Sequence, residues 1–300
     1  MASIICGSLA FDTIMNFEGQ FSEQILPNQL HILNVSFLVP SLRRDFGGCA
    51  GNIAYSLKQL GGTPLPMATI GSDGGGYLER LKGLGIGTEF VQTIEDAYTA
   101  QAMIITDGDN NQITGFHPGA MDFAQLTSIR ARPDIKLGII APDGRDAMLQ
   151  HAAQFTAAEI PFVFDPGQQL PRFDGEELKT FIDQASWVTV NDYEGKMLSD
   201  RTGWSCAEIS RRVRGLVVTL GAEGSEVWVE GEKTLVPAVT ATAVVDPTGC
   251  GDAYRGALLF GLEQGWSLVR CAALGNQLGA LKIAQRGPQN YTVDLKALVL

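Results

Sequence analysis

Short apolar runs alternate with longer segments of helical period along most of this chain, and that alternation admits few architectures. Residues 3–8, 66–70, 101–106, 137–141, 161–165, 187–191 and 216–220 each have the length and composition of a buried strand. Between them, residues 50–60, 76–84, 146–158, 176–185 and 192–201 place apolar side chains at helical spacing. Strands apolar on both faces and joined by amphipathic helices predict an α/β fold, with a mainly parallel sheet covered on both sides in three layers. Ligands of such sheets bind beyond the carboxyl ends of the strands, so the residues just after each run are the ones to inspect.

Two stretches break the rhythm. Residues 15–42 and 98–116 lack helical periodicity and predict extra strands and turns, a small β-structured lid contributed by about residues 13–45 and 96–118 of a single domain spanning 1–300. Gly108, Asn110 and Asn111 between apolar stretches mark a hairpin turn. The last third holds two long helical stretches, 251–264 and 268–285, joined around Gly265 and Trp266.

Charge narrows the partners. The net charge is −11, and no basic run exceeds the pairs Arg43-Arg44 and Arg211-Arg212. That argues against nucleic acid or an anionic membrane, which need clustered positive charge, but leaves room for a pocket taking one phosphorylated ligand. The five cysteines are scattered without CxxC spacing, as reduced thiols of a cytoplasmic protein would be. The apolar run at residues 4–11 is too short to span a bilayer.

The segment richest in chemistry is Asp246-Pro247-Thr248-Gly249-Cys250-Gly251-Asp252. Gly249 and Gly251 allow a tight turn that brings backbone N–H groups close to a ligand. A helical pattern follows, and the first amides of a helix have no internal partner. The amides of Gly249, Cys250 and Gly251 therefore form a candidate anion site suited to a phosphate or a transferring phosphoryl group. Asp252, in the first helical turn, is placed to accept a proton from an attacking hydroxyl. The plainer alternative is an acid that only complements the helix dipole.

This heptapeptide resembles the C-terminal signature of the ribokinase-like (PfkB) carbohydrate and nucleoside kinases, and three further segments agree in order and spacing. Gly7-Ser8-Leu9-Ala10-Phe11-Asp12 follows the first run, and an ionised Asp12 suits a vicinal diol because it only accepts hydrogen bonds. A strand-end turn or helix cap would also explain it. Gly47-Gly48-Cys49-Ala50-Gly51-Asn52 precedes a helix, with Asn52 able to donate and accept toward a sugar, although many such stretches are only turns. Asn191-Asp192-Tyr193-Glu194 follows a strand. The resemblance makes Asn191 and Glu194 the pair that positions Mg²⁺ through water, since Mg²⁺ sheds its waters reluctantly. The same spacing is a helix capping box, and both readings are compatible. The resemblance also gives Thr219, Gly221 and Gly224 to the nucleotide, and it admits a monovalent cation such as K⁺ beside ATP and Mg²⁺.

Within the family the chain is most similar to bacterial adenosine kinases of the mycobacterial type. Phe21-Ser22-Glu23-Gln24-Ile25-Leu26-Pro27, Leu30-His31, Ser36-Phe37-Leu38-Val39, Gly115-Phe116-His117-Pro118-Gly119-Ala120-Met121 and Asp165-Pro166-Gly167-Gln168-Gln169-Leu170 carry that likeness. It implies that Ser8, Asp12, Gly48 and Asn52 hold the ribose, that Ser36 and Gly47 also bind the substrate, and that Phe116 offers an aromatic face to the purine. Packing within the lid would equally account for Phe116. Gln168 and Gln169 present paired donors and acceptors to a base or ribose, or else form a surface turn. Asn276 is the candidate for the adenine pocket of ATP. Arg255 either reaches a phosphate or is structural. Tyr254 and Gly167 depart from the pattern, which has Phe and Ser there. The expected reaction is phosphorylation of the adenosine 5′-hydroxyl by ATP. The alternatives are another nucleoside or a free sugar as acceptor, or a non-catalytic binder. The lid's strand edge leaves room for a homodimer contact.

Other signals fail. The chain has no Gly-x-x-x-x-Gly-Lys-Ser/Thr segment. Residues 107–111 begin like a calcium loop, but Gln112 and Pro118 replace the Gly and Glu that such a loop requires. His31, His117 and His151 are isolated, without metal-ligand spacing.

Overall fold

In chain order the elements are β1 (Ala2–Cys6), β2 (Ala10–Asn16), α1 (Phe21–Gln24), β3 (Ser41–Gly47), α2 (Cys49–Gln59), β4 (Pro64–Gly71), α3 (Gly75–Gly83) and β5 (Phe90–Ile94). There follow β6 (Ala100–Thr106), β7 (Gln112–His117), β8 (Ile135–Ile140), α4 (Arg145–Ala157), β9 (Phe162–Phe164), α5 (Gly175–Gln184), β10 (Trp187–Asn191) and α6 (Asp192–Thr202). The chain closes with α7 (Cys206–Ser210), β11 (Leu216–Thr219), β12 (Ser225–Val229), β13 (Glu232–Val236), α8 (Cys250–Glu263) and α9 (Leu268–Ile283). They come from a computed structural model that describes residues 1–25, 31–32, 34–109, 111–130 and 132–299. Leu26, Pro27, Leu30 and Asn110, used above, lie outside the described residues.

Nine strands form the main sheet in the order β13-β12-β11-β10-β9-β8-β1-β4-β5. From β11 to β5 they run parallel, and β12 and β13 extend the edge antiparallel. Two apolar clusters sandwich the sheet. One gathers Phe155, Phe162, Phe164 and Phe181; the other gathers Ile53, Leu57, Tyr77 and Leu258. This is the predicted three-layer α/β fold, with buried strands reading as continuous apolar runs. Among the described residues, no helix is long and apolar enough to cross a membrane.

A second sheet of four strands has the order β3-β2-β6-β7. Residues 101–106, read above both as a strand candidate and as part of the lid, belong here, paired with β2 and β7. Asp12 lies inside β2 rather than in a turn after the first strand. Residues 10–16 contain neither Gly nor Pro, and Phe11 anchors the strand against Tyr77 with ring centroids 5.8 Å apart. The β6–β7 hairpin closes with Asp107 N–H donating to Asn111 O at 3.0 Å, as the turn residues predicted.

One contact decides where the site forms. Gly256 of α8 packs onto α2 so closely that a Cβ there would lie 2.5 Å from Ser56 Cβ and 3.0 Å from Leu57 N. The pairing brings the N-termini of α2 and α8 together at one end of the sheet.

Candidate active site

At the head of α8, Gly249 adopts the left-handed conformation (φ 79°), and an added Cβ would meet Pro288 Cβ at 2.6 Å. Cys250 N–H folds back onto Pro247 O at 3.2 Å. The Gly249 and Gly251 amides are then the ones left for a ligand, so the expected trio is reduced by its middle member. At the head of α2, Gly48 (φ 84°) crosses so near the chain after β1 that a Cβ would stand 2.5 Å from Ser8 O. Ser8 Oγ accepts Cys49 N–H at 3.2 Å and Ser8 O accepts Ala50 N–H at 3.0 Å, which caps α2.

The two helix heads meet through side chains. Asn52 Nδ2 donates to Asp252 Oδ2 at 2.8 Å. Gln289 Nε2 donates to Asn52 Oδ1 at 3.1 Å and to Tyr77 Oη at 2.7 Å, and Tyr77 Oη–H donates to Gly47 O at 2.6 Å. Asn52, predicted at the ribose, thus also steadies the candidate base. Burial pushes the Asp252 carboxyl up to about 6, against the opposing pull of the Asn52 hydrogen bond and the Arg255 charge. Such a group is ionised at neutral pH yet still basic enough to take a proton. Beside it, burial and the charges of Asp252 and Asp165 push the Cys49 thiol well up, so it stays protonated.

Arg255 is held by a buried carboxylate. Its Nε and Nη2 clasp Asp165 Oδ2 and Oδ1 at 2.6 and 2.7 Å, and Nη1 donates to Gly251 O at 3.2 Å. Both partners are almost completely buried. Arg255 Nη2 also lies 3.9 Å from Glu194 Oε2. Asn191 and Glu194 form the reciprocal capping box of α6: Glu194 N–H donates to Asn191 Oδ1 at 2.7 Å and Asn191 N–H to Glu194 Oε2 at 2.8 Å.

These groups open on two adjoining cavities. One of about 500 Å³ is lined by Asp165, Gln168, Asn191, Glu194, Thr219 and Asp252, among others. The second, about 700 Å³, lies between Gly224, Val239, Tyr254 and Asn276, and it shares Thr219, Gly221 and Gly251 with the first. Asn276 Nδ2 donates to Val236 O at 3.2 Å and Pro237 O at 3.0 Å, so it is fastened to the cavity wall. Gln169 is buried, accepts from Arg172 Nη1 at 3.4 Å and lines neither cavity. Ser36 is exposed and lines neither as well.

The smaller sheet supplies a row rather than a pocket. Strand register sets Asp45, Asp12, Ala102 and Phe116 side by side across β3, β2, β6 and β7. Paired residues share a face of a sheet, with strands about 4.8 Å apart. Asp12 and Phe116 therefore present a carboxylate and an aromatic ring about 10 Å apart with only the small Ala102 between. Asp12 is pushed up to about 6 by burial first, then by the charges of Asp45, Asp252 and Asp246, with Arg43 opposing. Gly47 leaves room for this carboxylate, since a Cβ there would stand 2.4 Å from Asp12 Oδ2 and displace it.

The model of the pfkB family carbohydrate kinases matches residues 13–294. This chain belongs to that family. The kinase is also 50% identical to a structure of Burkholderia thailandensis nucleoside kinase in complex with inosine, covering 97% of this chain and 93% of that one at a TM-score of 0.87. The same Burkholderia enzyme in complex with ADP-inosine superposes at 0.85, with 51% identity over 97% and 92% of the two chains. A nucleoside kinase of Methanocaldococcus jannaschii is 32% identical over 293 residues, 96% of this chain and 93% of its own. The ribokinase-like fold follows from these matches together with the two sheets.

Several residues of the candidate site were given no role from sequence. Tyr77 and Gln289 act through partners 30 and 237 residues away, and Asp165, quoted only within a segment of family likeness, through one 90 residues away. Asp246 opens the heptapeptide, and a buried carboxylate opening a Gly-rich turn could have been singled out there. Its Oδ1 accepts Thr248 N–H at 2.9 Å, and its Oδ2 accepts Gly287 N–H at 2.9 Å and Arg43 Nη2 at 3.2 Å.

Proposed function

We propose that this kinase transfers the γ-phosphoryl group of ATP to the 5′-hydroxyl of a purine nucleoside, with adenosine giving AMP. The row Asp12–Ala102–Phe116 carries this reading. A carboxylate for vicinal hydroxyls and an aromatic face for a flat base, one strand apart from contact, match the two ends of a nucleoside. A free sugar would use only the first. The inosine complex of the Burkholderia relative favours a second reading in which hypoxanthine is accepted as well as adenine.

Asp12 accepts the ribose 2′- and 3′-hydroxyls, and Ser8 and Asn52 flank them. The 5′-hydroxyl then faces Asp252, which orients it and takes its proton. ATP occupies the larger cavity along Thr219, Gly221, Gly224 and Asn276, with its γ-phosphate toward the open amides of Gly249 and Gly251. Phosphoryl transfer depends mainly on such positioning and on electrostatics. Glu194 fits an Mg²⁺ held through water: burial and then the Asp165 charge raise its carboxyl, and Arg255 offsets this only in part. When bound, the ion would withdraw charge from the transferring phosphates. Closure of the small sheet over the nucleoside would exclude water.

The test is a panel of adenosine, inosine, guanosine, ribose and fructose with ATP and Mg²⁺, read by product mass. Nucleoside 5′-monophosphates are the expected products; preferential turnover of a free sugar would sink the nucleoside assignment.

The pH profile follows from the two raised carboxyls. Asp252 and Asp12 must both be ionised, and both release their protons near 6. The kcat/KM should therefore be flat above neutrality and fall on the acid side of about 6, with a slope steeper than one proton alone gives. Asn52→Ala removes a hydrogen bond to the ionised Asp252, so the acid limb should move up by about one pH unit. An unmoved limb would show that Asn52 does not tune the base.

A further inference from the structure

Lys282, in the last turn of α9, is a completely buried lysine that the reaction as described above does not use. Its Nζ donates to Asp246 O at 2.8 Å and to Gln285 O at 3.1 Å. Asp246 is the first residue of the segment that ends in the candidate anion site and Asp252. The same segment is tied to α9 through its backbone: Val245 and Asp246 N–H both donate to Ile283 O, at 2.8 and 3.1 Å. Burying an ammonium is costly unless its donors are met, and an apolar side chain of equal length would fill the space without that cost. What the charge adds is a hold on carbonyl oxygens at the C-terminal end of a helix, where cations are favoured.

We propose that Lys282 is a positioning residue for phosphoryl transfer, its ammonium serving as a built-in cation that fixes the loop of residues 246–251. The inference rests on the kinase reading of that loop. It also answers the expectation of K⁺. Potassium is coordinated by oxygen ligands such as carbonyls, and the carbonyls of Asp246 and Gln285 already face a covalently attached cation. The described residues around this loop therefore fit Lys282 in place of an added ion, and turnover should not depend on K⁺.

Three proteins test this: the unmodified kinase, Lys282→Ala and Lys282→Met. Each is assayed with adenosine, ATP and Mg²⁺ in choline buffer, then with potassium or ammonium chloride added. The unmodified kinase should be indifferent to the added salts. Both variants should lose about 10²-fold in kcat, the scale of a small misplacement of reacting groups, with the nucleoside KM little changed. Ammonium or K⁺ should restore most of the rate to Lys282→Ala, where the shortened side chain leaves room, and none to Lys282→Met, where the space is filled. A requirement of the unmodified protein for K⁺ would overturn the proposal, as would full activity of either variant or failure of every cation to rescue a folded Lys282→Ala. Amide hydrogen exchange over residues 246–252 gives an outcome independent of the acceptor. Exchange should be faster in both variants and slowed by ammonium in Lys282→Ala alone; exchange unchanged from the unmodified protein would refute the role even if no tested nucleoside is phosphorylated. Absence of any phosphorylated product with normal Lys282-dependent exchange would instead fault the functional reading.

Discussion

Asp252→Asn should lower kcat by about 10²–10⁴-fold while the nucleoside KM stays close to that of the unmodified kinase. The substitution preserves shape and removes the proton acceptor. The fold should not suffer. The Asp252 carboxyl is pushed up to about 6 in the native state, so the native protein holds this proton more tightly than the unfolded chain does. That linkage favours the fold at acid pH and is lost as pH rises from about 4 through about 6. At pH 8 the buried carboxylate is a burden, and the neutral amide should leave Tm equal or higher. Steady-state kinetics and thermal melts on the same preparation separate the two effects. Retained kcat would show that another group takes the proton; a large fall in Tm would show that the residue is mainly structural.

Arg255→Met should cost about 3–5 kcal/mol of stability, because it leaves Asp165 as a buried carboxylate without its partner. Against a typical total of about 5–15 kcal/mol, a loss of that size threatens folding at physiological temperature. Combining it with Asp165→Leu should recover most of the stability, since an apolar pair needs no desolvation of charge. Activity should not return with it: Gly251 O would still lack the Arg255 Nη1 hydrogen bond that braces the head of α8. Chemical denaturation of the single and double variants tests the first claim and turnover of the double variant the second. A double variant no more stable than Arg255→Met would remove the ion pair as the cause.

Much of the main sheet is legible because parallel strands, buried on both faces, must be nearly continuous apolar runs. The stretch 137–141 and strand β8, or 187–191 and β10, differ by two residues at most. The edge is another matter. Strands β12 and β13 carry Glu226, Glu232 and Lys233 on a half-exposed hairpin, and neither the long apolar run nor the helical period marks them. For residues 101–106 the broken helical rhythm around them pointed to the small sheet, but apolar length alone could not name their partners β2 and β7. In the site, the Gly-rich turn and Asp252 were readable because glycine and a helix start are local signals. The Arg255 ion pair was hidden because its partner, Asp165, is 90 residues away. Lys282 looks on paper like any lysine in the last turn of a helix, and only its burial sets it apart.

The Phe116 ring is half in water, with 52% of the residue exposed, and across the strand it faces a methyl group, Ala102. On the proposed reading, the base is the missing layer between the small sheet and the rest of the protein. The acceptor then acts as a removable piece of hydrophobic core. Selection against a bare pentose needs no clash, since a pentose simply leaves the ring wet. Covering such a side chain is worth about 1.5–3 kcal/mol when complete, so the choice of a nucleoside over a sugar is made largely by water.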